Sequence, residues 1–228
     1  MAKRSYVWLL VTLAAVGLTV DLVTKYRVFR WLHHGQQEAR DGAFEAWTVA
    51  PRWAGGGNQY VHGGRYDVLP GWFGLIAEYT DENPCDCPMS GLQTWSAPKM
   101  PRVNQGALFG MGGEFGGQAN KIYAAVSVLA VLGILTWAVV RGRRADGWMC
   151  AALGLILGGT AGNLFDRVVF SGVRDFLYFY KIDWPVFNVA DCCLVCGAVM
   201  LVLHALFAPN PDKVKADAAV EPAAAPAA

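Results

Sequence analysis

Charge is what this sequence has least of. Charged residues fill 16% of its 228 positions, where soluble domains carry about 25%. Hydrophobic residues fill 54%, and the mean hydropathy is +0.29. With 19 Lys and Arg against 18 Asp and Glu, the net charge is +1, so there is no excess of positive charge to recruit a nucleic acid. Disorder across the chain needs low hydrophobicity and high net charge, and the composition offers neither. Several chemistries lack their motifs too: there is no Gly-x-Ser-x-Gly, no His-Glu-x-x-His, no phosphate loop and no dinucleotide-binding glycine pattern. His33, His34, His62 and His204 have no metal-ligand spacing, so neither a metal nor a cofactor is expected.

The apolar residues are gathered into runs. Residues 5–20, 122–140, 147–165 and 192–211 contain no Asp, Glu, Lys or Arg. A helix needs roughly 20 apolar residues to cross a hydrocarbon core of ~30 Å. The runs predict four membrane spans, about 6–25, 120–140, 147–168 and 186–207. Lys3 and Arg4 precede the first, and Arg141, Arg143 and Arg144 fill the connection between the second and third. Basic residues in short loops mark the cytoplasmic side, so both termini are expected there, with 31–119 and 169–185 outside. The first run has a basic start, yet no small-x-small cleavage site follows it, so it reads as a retained span. The Ala/Pro-rich 209–228 reads as a disordered cytoplasmic tail.

Between the first two spans lies an extracytoplasmic insert, about 31–100. It carries Trp31, Trp47, Trp53, Trp72 and Trp95, glycine clusters at 55–57 and 63–64, and short β-like patches such as Gln59-Tyr60-Val61. Long connections of this kind are functional or have structure of their own, and such aromatic rings suit a membrane interface. The fold class is therefore membrane all-α, four transmembrane helices plus a small β-containing cap. Cys85 and Cys87, in Pro-Cys-Asp-Cys-Pro on that insert, read as a disulfide or free thiols in an oxidising compartment. Cys150, Cys192, Cys193 and Cys196 read as small buried hydrophobes.

Polar residues recur where the spans should be apolar. An ionisable group at membrane depth costs roughly 2.5–3.5 kcal/mol or more, which makes it a functional-site candidate. Asn163, Asp166 and Arg167 share a helix face at i, i+3, i+4, above Gly158, Gly159 and Gly162, which would let another helix approach closely. The fourth span opens on Pro185-Val-Phe-Asn188-Val-Ala-Asp191. Given the alternating direction of the spans, these residues, Asp175, the pair Asp21 and Lys25, and the stretch at Asn104 and Gly106 all fall in the outer layer. Paired carboxylates are the chemistry left. Two held close share a proton, so one can activate water while the other serves as acid. Spacing alone leaves open which of Asp166, Asp175, Asp183 and Asp191 pair.

The ordered set Asp21…Lys25, Asn104-x-Gly106-Ala107-x-Phe109-Gly110, Gly158-Gly159-x-x-Gly162-Asn163-x-x-Asp166-Arg167, Asp175-Phe-Leu and Phe187-Asn188-Val-Ala-Asp191 resembles the lipoprotein signal peptidases (signal peptidase II). The resemblance covers roughly 1–28 and 101–208. It implies a bacterial aspartyl peptidase, multi-pass in the cytoplasmic (inner) membrane, with its active site at the extracytoplasmic face. Such an enzyme removes signal peptides from diacylglyceryl-modified prolipoproteins, cuts before the lipidated cysteine, works among membrane lipid and is blocked by globomycin-type inhibitors. By motif, the resemblance assigns Asp175 and Asp191 as the catalytic pair. It assigns Asn104, Gly106, Asn163, Arg167 and Asn188 to substrate binding, and Asp21, Lys25 and Asp166 to structural support. It also implies a small external β-element that cradles substrate. Arg174 and Cys192 depart from the pattern, the insert is long for it, and a cation beside Asp175 is expected to lower that carboxyl's pKa. Two rivals fit less well. A thiol oxidoreductase using Cys85 and Cys87 lacks a second external cysteine pair, and a proton-coupled transporter would show internal repeats and broken helices.

Overall fold

A computed structural model describes residues 5–38, 44–47, 61–106, 117–142 and 145–207. The expectations for the tail at 209–228, for Trp53, Gln59 and Tyr60, for the glycines at 55–57, and for Ala107, Phe109 and Gly110 fall outside them. In chain order the elements are α1 (Val7–Glu38), β1 (Phe44–Trp47), β2 (Val61–Leu69), β3 (Phe73–Thr80), α2 (Ser90–Ser96), α3 (Gly117–Arg141), α4 (Gly147–Val169), β4 (Leu177–Tyr178), a 3-10 turn (Tyr180–Ile182) and α5 (Val189–Phe207). Among the described residues four helices, α1, α3, α4 and α5, are long and apolar enough to cross a membrane. Their surfaces suit lipid: Ile122, Leu129 and Val139 on α3 and Val195, Val199 and Leu206 on α5 are all exposed.

Helix α4 is the hub, and glycine is the reason. A Cβ added at Gly154 would stand 2.7 Å from the Leu10 carbonyl, one at Gly158 2.7 Å from that of Ala14, and one at Gly162 2.5 Å from Asp21 Oδ2. Gly154 and Gly158 therefore let the α1 backbone lie against α4, and Gly162, four residues on, leaves room for the Asp21 carboxylate. Gly159 does the same for α5 at Ala190, and Gly197 of α5 returns the contact at the Ala152 carbonyl.

Helix α1 answers with one face. Leu10, Gly17, Asp21, Lys25, Phe29 and Leu32 are its buried positions, three, four or seven residues apart as a helical stripe requires. That stripe does not stop at the membrane. The expected first span ends near residue 25, with an insert from 31, whereas α1 runs on to Glu38. The reason lies in Phe29 and Leu32, which bury with Ala77, Tyr79, Ala97 and Phe176 in a core under the cap. The Tyr79 hydroxyl donates to the Phe29 carbonyl.

The cap is a four-stranded antiparallel sheet in the order β1-β2-β3-β4. It is built from three strands of the insert and one from the α4–α5 connection, with Gly74 opposite Tyr178 and Leu75 opposite Leu177. Cys85 and Cys87 form a disulfide just before α2. The cysteine expectation needs one correction. Cys150 is buried and Cys193 partly so, but Cys192 and Cys196 are exposed. Helix α5 buries Ala190 and Gly197, which leaves these two thiols on an outward face.

Candidate active site

Backbone pairing brings the site together. The Phe176 and Leu177 N–H groups donate to the Phe187 carbonyl at 3.0 and 2.8 Å, and Phe187 N–H returns a bond to the Leu177 carbonyl at 3.0 Å. Asp175, one residue before this bridge, and Asn188, one residue after it, are thereby made neighbours. Asn188 and Asp191 then cap the start of α5 reciprocally. Asp191 N–H donates to Asn188 Oδ1 at 3.0 Å, and Asn188 N–H donates to Asp191 Oδ2 at 3.1 Å. This satisfies two backbone donors that a helix start would otherwise leave open. Asp21 Oδ1 takes the Ala190 N–H at 2.9 Å. The sequence Asn-Val-Ala-Asp is thus a capping box before it is anything else.

Amides link the two carboxylates. Asn188 Nδ2 donates to Asp175 Oδ1 at 2.7 Å and to Asn163 Oδ1 at 3.2 Å. Asn163 Nδ2 donates to Asp191 Oδ1 at 2.8 Å, and Asn104 Nδ2 to Asp175 Oδ2 at 3.1 Å. The orientation of Asn163 is enforced from below, because Lys25 Nζ donates to its Oδ1 at 3.1 Å. Gly106 N–H donates to Asn104 Oδ1 at 3.0 Å, and Arg167 Nη2 to the Gly106 carbonyl at 3.0 Å.

Beneath this layer lies a buried ion cluster. Lys25 stands 2.7 Å from Asp21 and 3.4 Å from Asp166. Arg174 holds Asp166 through Nη2 at 2.7 Å. Two acids and two bases, all fully buried, balance one another in a medium that tolerates no surplus charge. Asp175 and Asp191 by contrast remain partly exposed, so a reactant can reach them. Burial first, then the charge of Asp191, pushes the Asp175 carboxyl up to about 7; hydrogen bonds from Asn104 and Asn188 and the charge of Lys25 act against that rise.

All ten residues singled out from the sequence thus belong to one network: Asp21, Lys25, Asn104, Gly106, Asn163, Asp166, Arg167, Asp175, Asn188 and Asp191. Asp183, the fourth acid left open, is exposed and accepts a bond from the Tyr178 hydroxyl at 2.7 Å, apart from the network. One expectation is overturned. Arg174 does not neutralise Asp175 but turns away from it to Asp166. The Asp175 pKa moves up rather than down, because burial and Asp191 dominate. Successive side chains of a non-helical stretch leave on opposite sides, so adjacency in sequence is separation here. Asn120, which exchanges two 3.2 Å bonds with Arg167, and Ser96, which receives one from Arg174, were not expected. Neither sits in a motif that could have signalled it. Among the described residues no group of three or more His, Cys, Asp or Glu is placed to hold a metal ion.

The chain is also similar to known proteins. The family described as signal peptidase (SPase) II matches residues 100–207. A lipoprotein signal peptidase of Pseudoalteromonas translucida is 37% identical over 115 residues, which are 50% of this chain and 69% of that protein. The chain belongs to the lipoprotein signal peptidase family. The family member from Rhodopirellula baltica is 40% identical over 116 residues, 45% of this chain and 50% of its own length. A Cupriavidus taiwanensis lipoprotein signal peptidase is 40% identical over 107 residues, 45% of this chain and 58% of that one. The match therefore spans between half and about two-thirds of these curated relatives. A bacterial membrane enzyme solved by the in meso method at 2.3 Å shares the fold, with a TM-score of 0.54 over 90% of this chain and 92% of that one at 17% identity. Within the lipoprotein signal peptidase family, Asn104, Asn163, Asp166, Asp175, Asn188 and Asp191 all fall inside the matched 100–207 stretch. Asp21 and Lys25 reach the site from α1, outside it.

Proposed function

We propose that this chain is an aspartyl endopeptidase that removes signal peptides from diacylglyceryl-modified prolipoproteins, cutting before the lipidated cysteine. The observation that carries the reading is the amide-linked pair Asp175 and Asp191, partly exposed above a neutral buried ion cluster. Asp175 serves as the acid of the pair, since burial and its neighbour's charge both raise the pKa of its carboxyl. Asp191, whose two oxygens accept bonds from Asn163 and the Asn188 backbone, takes a proton from the attacking water. The water oxygen adds to the scissile carbonyl while Asp175 donates to the carbonyl oxygen. Collapse of the tetrahedral intermediate breaks the C–N bond: the amine of the lipidated cysteine leaves with the proton held by Asp191, and a hydroxyl of the intermediate returns its proton to Asp175 as the carboxyl product forms. Asn104, Gly106, Asn163, Arg167 and Asn188 orient substrate and dyad, and Asp21, Lys25 and Asp166 support them from below.

Residues 1–208 act as one membrane peptidase unit with the insert about 31–100 outside and the 209–228 tail in the cytoplasm. The basic residues Lys3, Arg4, Arg141, Arg143 and Arg144 support cytoplasmic termini in the inner membrane and a site at the extracytoplasmic face. Substrate enters laterally with its acyl chains in membrane lipid, and a globomycin-type inhibitor competes for the same place. The test uses the purified full chain in detergent with a prolipoprotein, lipidated or not, read as a gel shift. Cleavage of the lipidated form, blocked by globomycin, is expected. A folded protein that leaves the lipidated form intact contradicts the reading.

A further inference from the structure

Arg174 is an expensive residue to keep. It has no measurable exposure, and an unpaired guanidinium there would be prohibitive. Every nitrogen of its side chain is committed. Nη2 donates to Asp166 Oδ1 at 2.7 Å, Nε lies 3.3 and 3.2 Å from the two Asp166 oxygens, and Nη1 donates to Ser96 Oγ at 3.0 Å. Its own backbone N–H also donates to Asp166 Oδ2, at 2.9 Å. The guanidinium lies 3.9 Å from the Phe170 ring centroid and 4.3 Å from that of Tyr26. The residue is gripped from α4, α1, α2 and its own loop at once.

Ser96 is the last residue of α2 and is fully buried. Gln93, one turn earlier on α2, is also buried. Its Nε2 donates to the Val169 carbonyl at 2.7 Å, and its Oε1 accepts from the Cys85 N–H at 2.9 Å. Val169 is the last residue of α4, where carbonyls lack helical partners. Two buried polar side chains of a short helix in the insert therefore hold both ends of the segment that leads from α4 to Asp175.

We propose that Arg174 is a positioning residue for Asp175, and that α2 is the part of the insert that keeps it in place. Direction is what the clamp controls. Drawing Arg174 to Asp166 and Ser96 on one side sends the next side chain to the other, where Asn104 and Asn188 receive it. The forked guanidinium matters, because an ammonium cannot grip a carboxylate with two nitrogens and reach a hydroxyl with a third. The inference deepens the peptidase reading and rests on it for its kinetic arm alone.

The test compares wild type, Ser96→Ala, Arg174→Lys and the exposed control Thr94→Ala, each checked for folding by thermal melting in detergent. Two readouts are taken: backbone amide exchange over residues 171–177, and kcat and KM for the lipidated substrate. Ser96→Ala removes one hydrogen bond to a charged group. Exchange about fivefold to tenfold faster and kcat lower by a similar factor are expected, with KM unchanged. Arg174→Lys keeps the cation and is expected to fold, with changes in the same direction and larger. Thr94→Ala should match wild type. If Ser96→Ala and Arg174→Lys match wild type in exchange and kcat, the positioning role is overturned while the peptidase reading stands. If the folded wild type does not cleave, the peptidase reading falls, and exchange alone decides whether the clamp on the 171–177 segment exists.

Discussion

Asp175 sits where burial and the charge of Asp191 both oppose ionisation. An acid whose pKa is raised stays protonated to higher pH, and the mechanism needs one proton on the dyad. The rate on lipidated substrate should therefore fall as pH rises through about 7, by about tenfold per unit beyond it. A pH–rate profile on folded protein checks this, and a rate that climbs through that range contradicts it. Lys25 makes a second residue-level prediction. It stands between Asp21 and Asp166 and also orients Asn163. Lys25→Met leaves a buried charge uncompensated and is expected to cost about 3–5 kcal/mol of stability, measured by denaturation in detergent. At this scale the sequence was most informative where polar residues interrupt apolar spans, because a membrane makes such residues costly unless they serve a site. It was least informative about Arg174, whose destination depends on which way an irregular segment turns. Ser96 and Asn120 were not legible at all, since an isolated Ser or Asn looks the same whether it faces solvent or a buried guanidinium.

Helices α1 and α4 show how an element carries the site. Gly154 and Gly158 bring the α1 backbone into contact and Gly162 makes room for the Asp21 carboxylate, and that approach sets Asp21 and Lys25 against Asn163 and Asp166. A methyl at Gly158 would meet the Ala14 backbone at 2.7 Å, and backbone cannot swing aside as a side chain can. Gly158→Ala is expected to lower stability by about 1–3 kcal/mol and to reduce cleavage. At Gly133 of α3 nothing lies within 4 Å, so Gly133→Ala should be neutral or raise stability by up to about 1 kcal/mol through helix propensity. Equal melting shifts for the two would refute the packing account. The close approach at Gly158 and Gly162 and the four long apolar helices were readable from the sequence, but Gly154 and the end of α1 were not. Arg27 and Arg30 break the apolar run, while the burial of Phe29 and Leu32 that prolongs the helix comes from a sheet formed much later in the chain.

Across the whole molecule, the cap and the membrane frame share one site. β4 joins the insert's sheet from the α4–α5 connection, and this pairing fixes the bridge that sets Asp175 beside Asn188. Composition foretold a β-containing cap. Its strand order could not be foretold, because short strands paired across about a hundred residues leave no periodic trace. The proposed orientation predicts that a phosphatase reporter active only outside the cytoplasm is active when fused in the insert near residue 85 and inactive when fused at residue 145. The opposite pattern would invert the proposed topology.

The central claim is that Asp175 and Asp191 together cleave a lipidated prolipoprotein. The most direct measurement is single-turnover cleavage by folded wild type, Asp175→Asn and Asp191→Asn, each with and without a chelator. Cleavage by wild type in both conditions, and none detectable by either variant, is the predicted result. Residual cleavage by a folded Asn variant at a rate near that of wild type, or loss of wild-type activity on chelation, would contradict it.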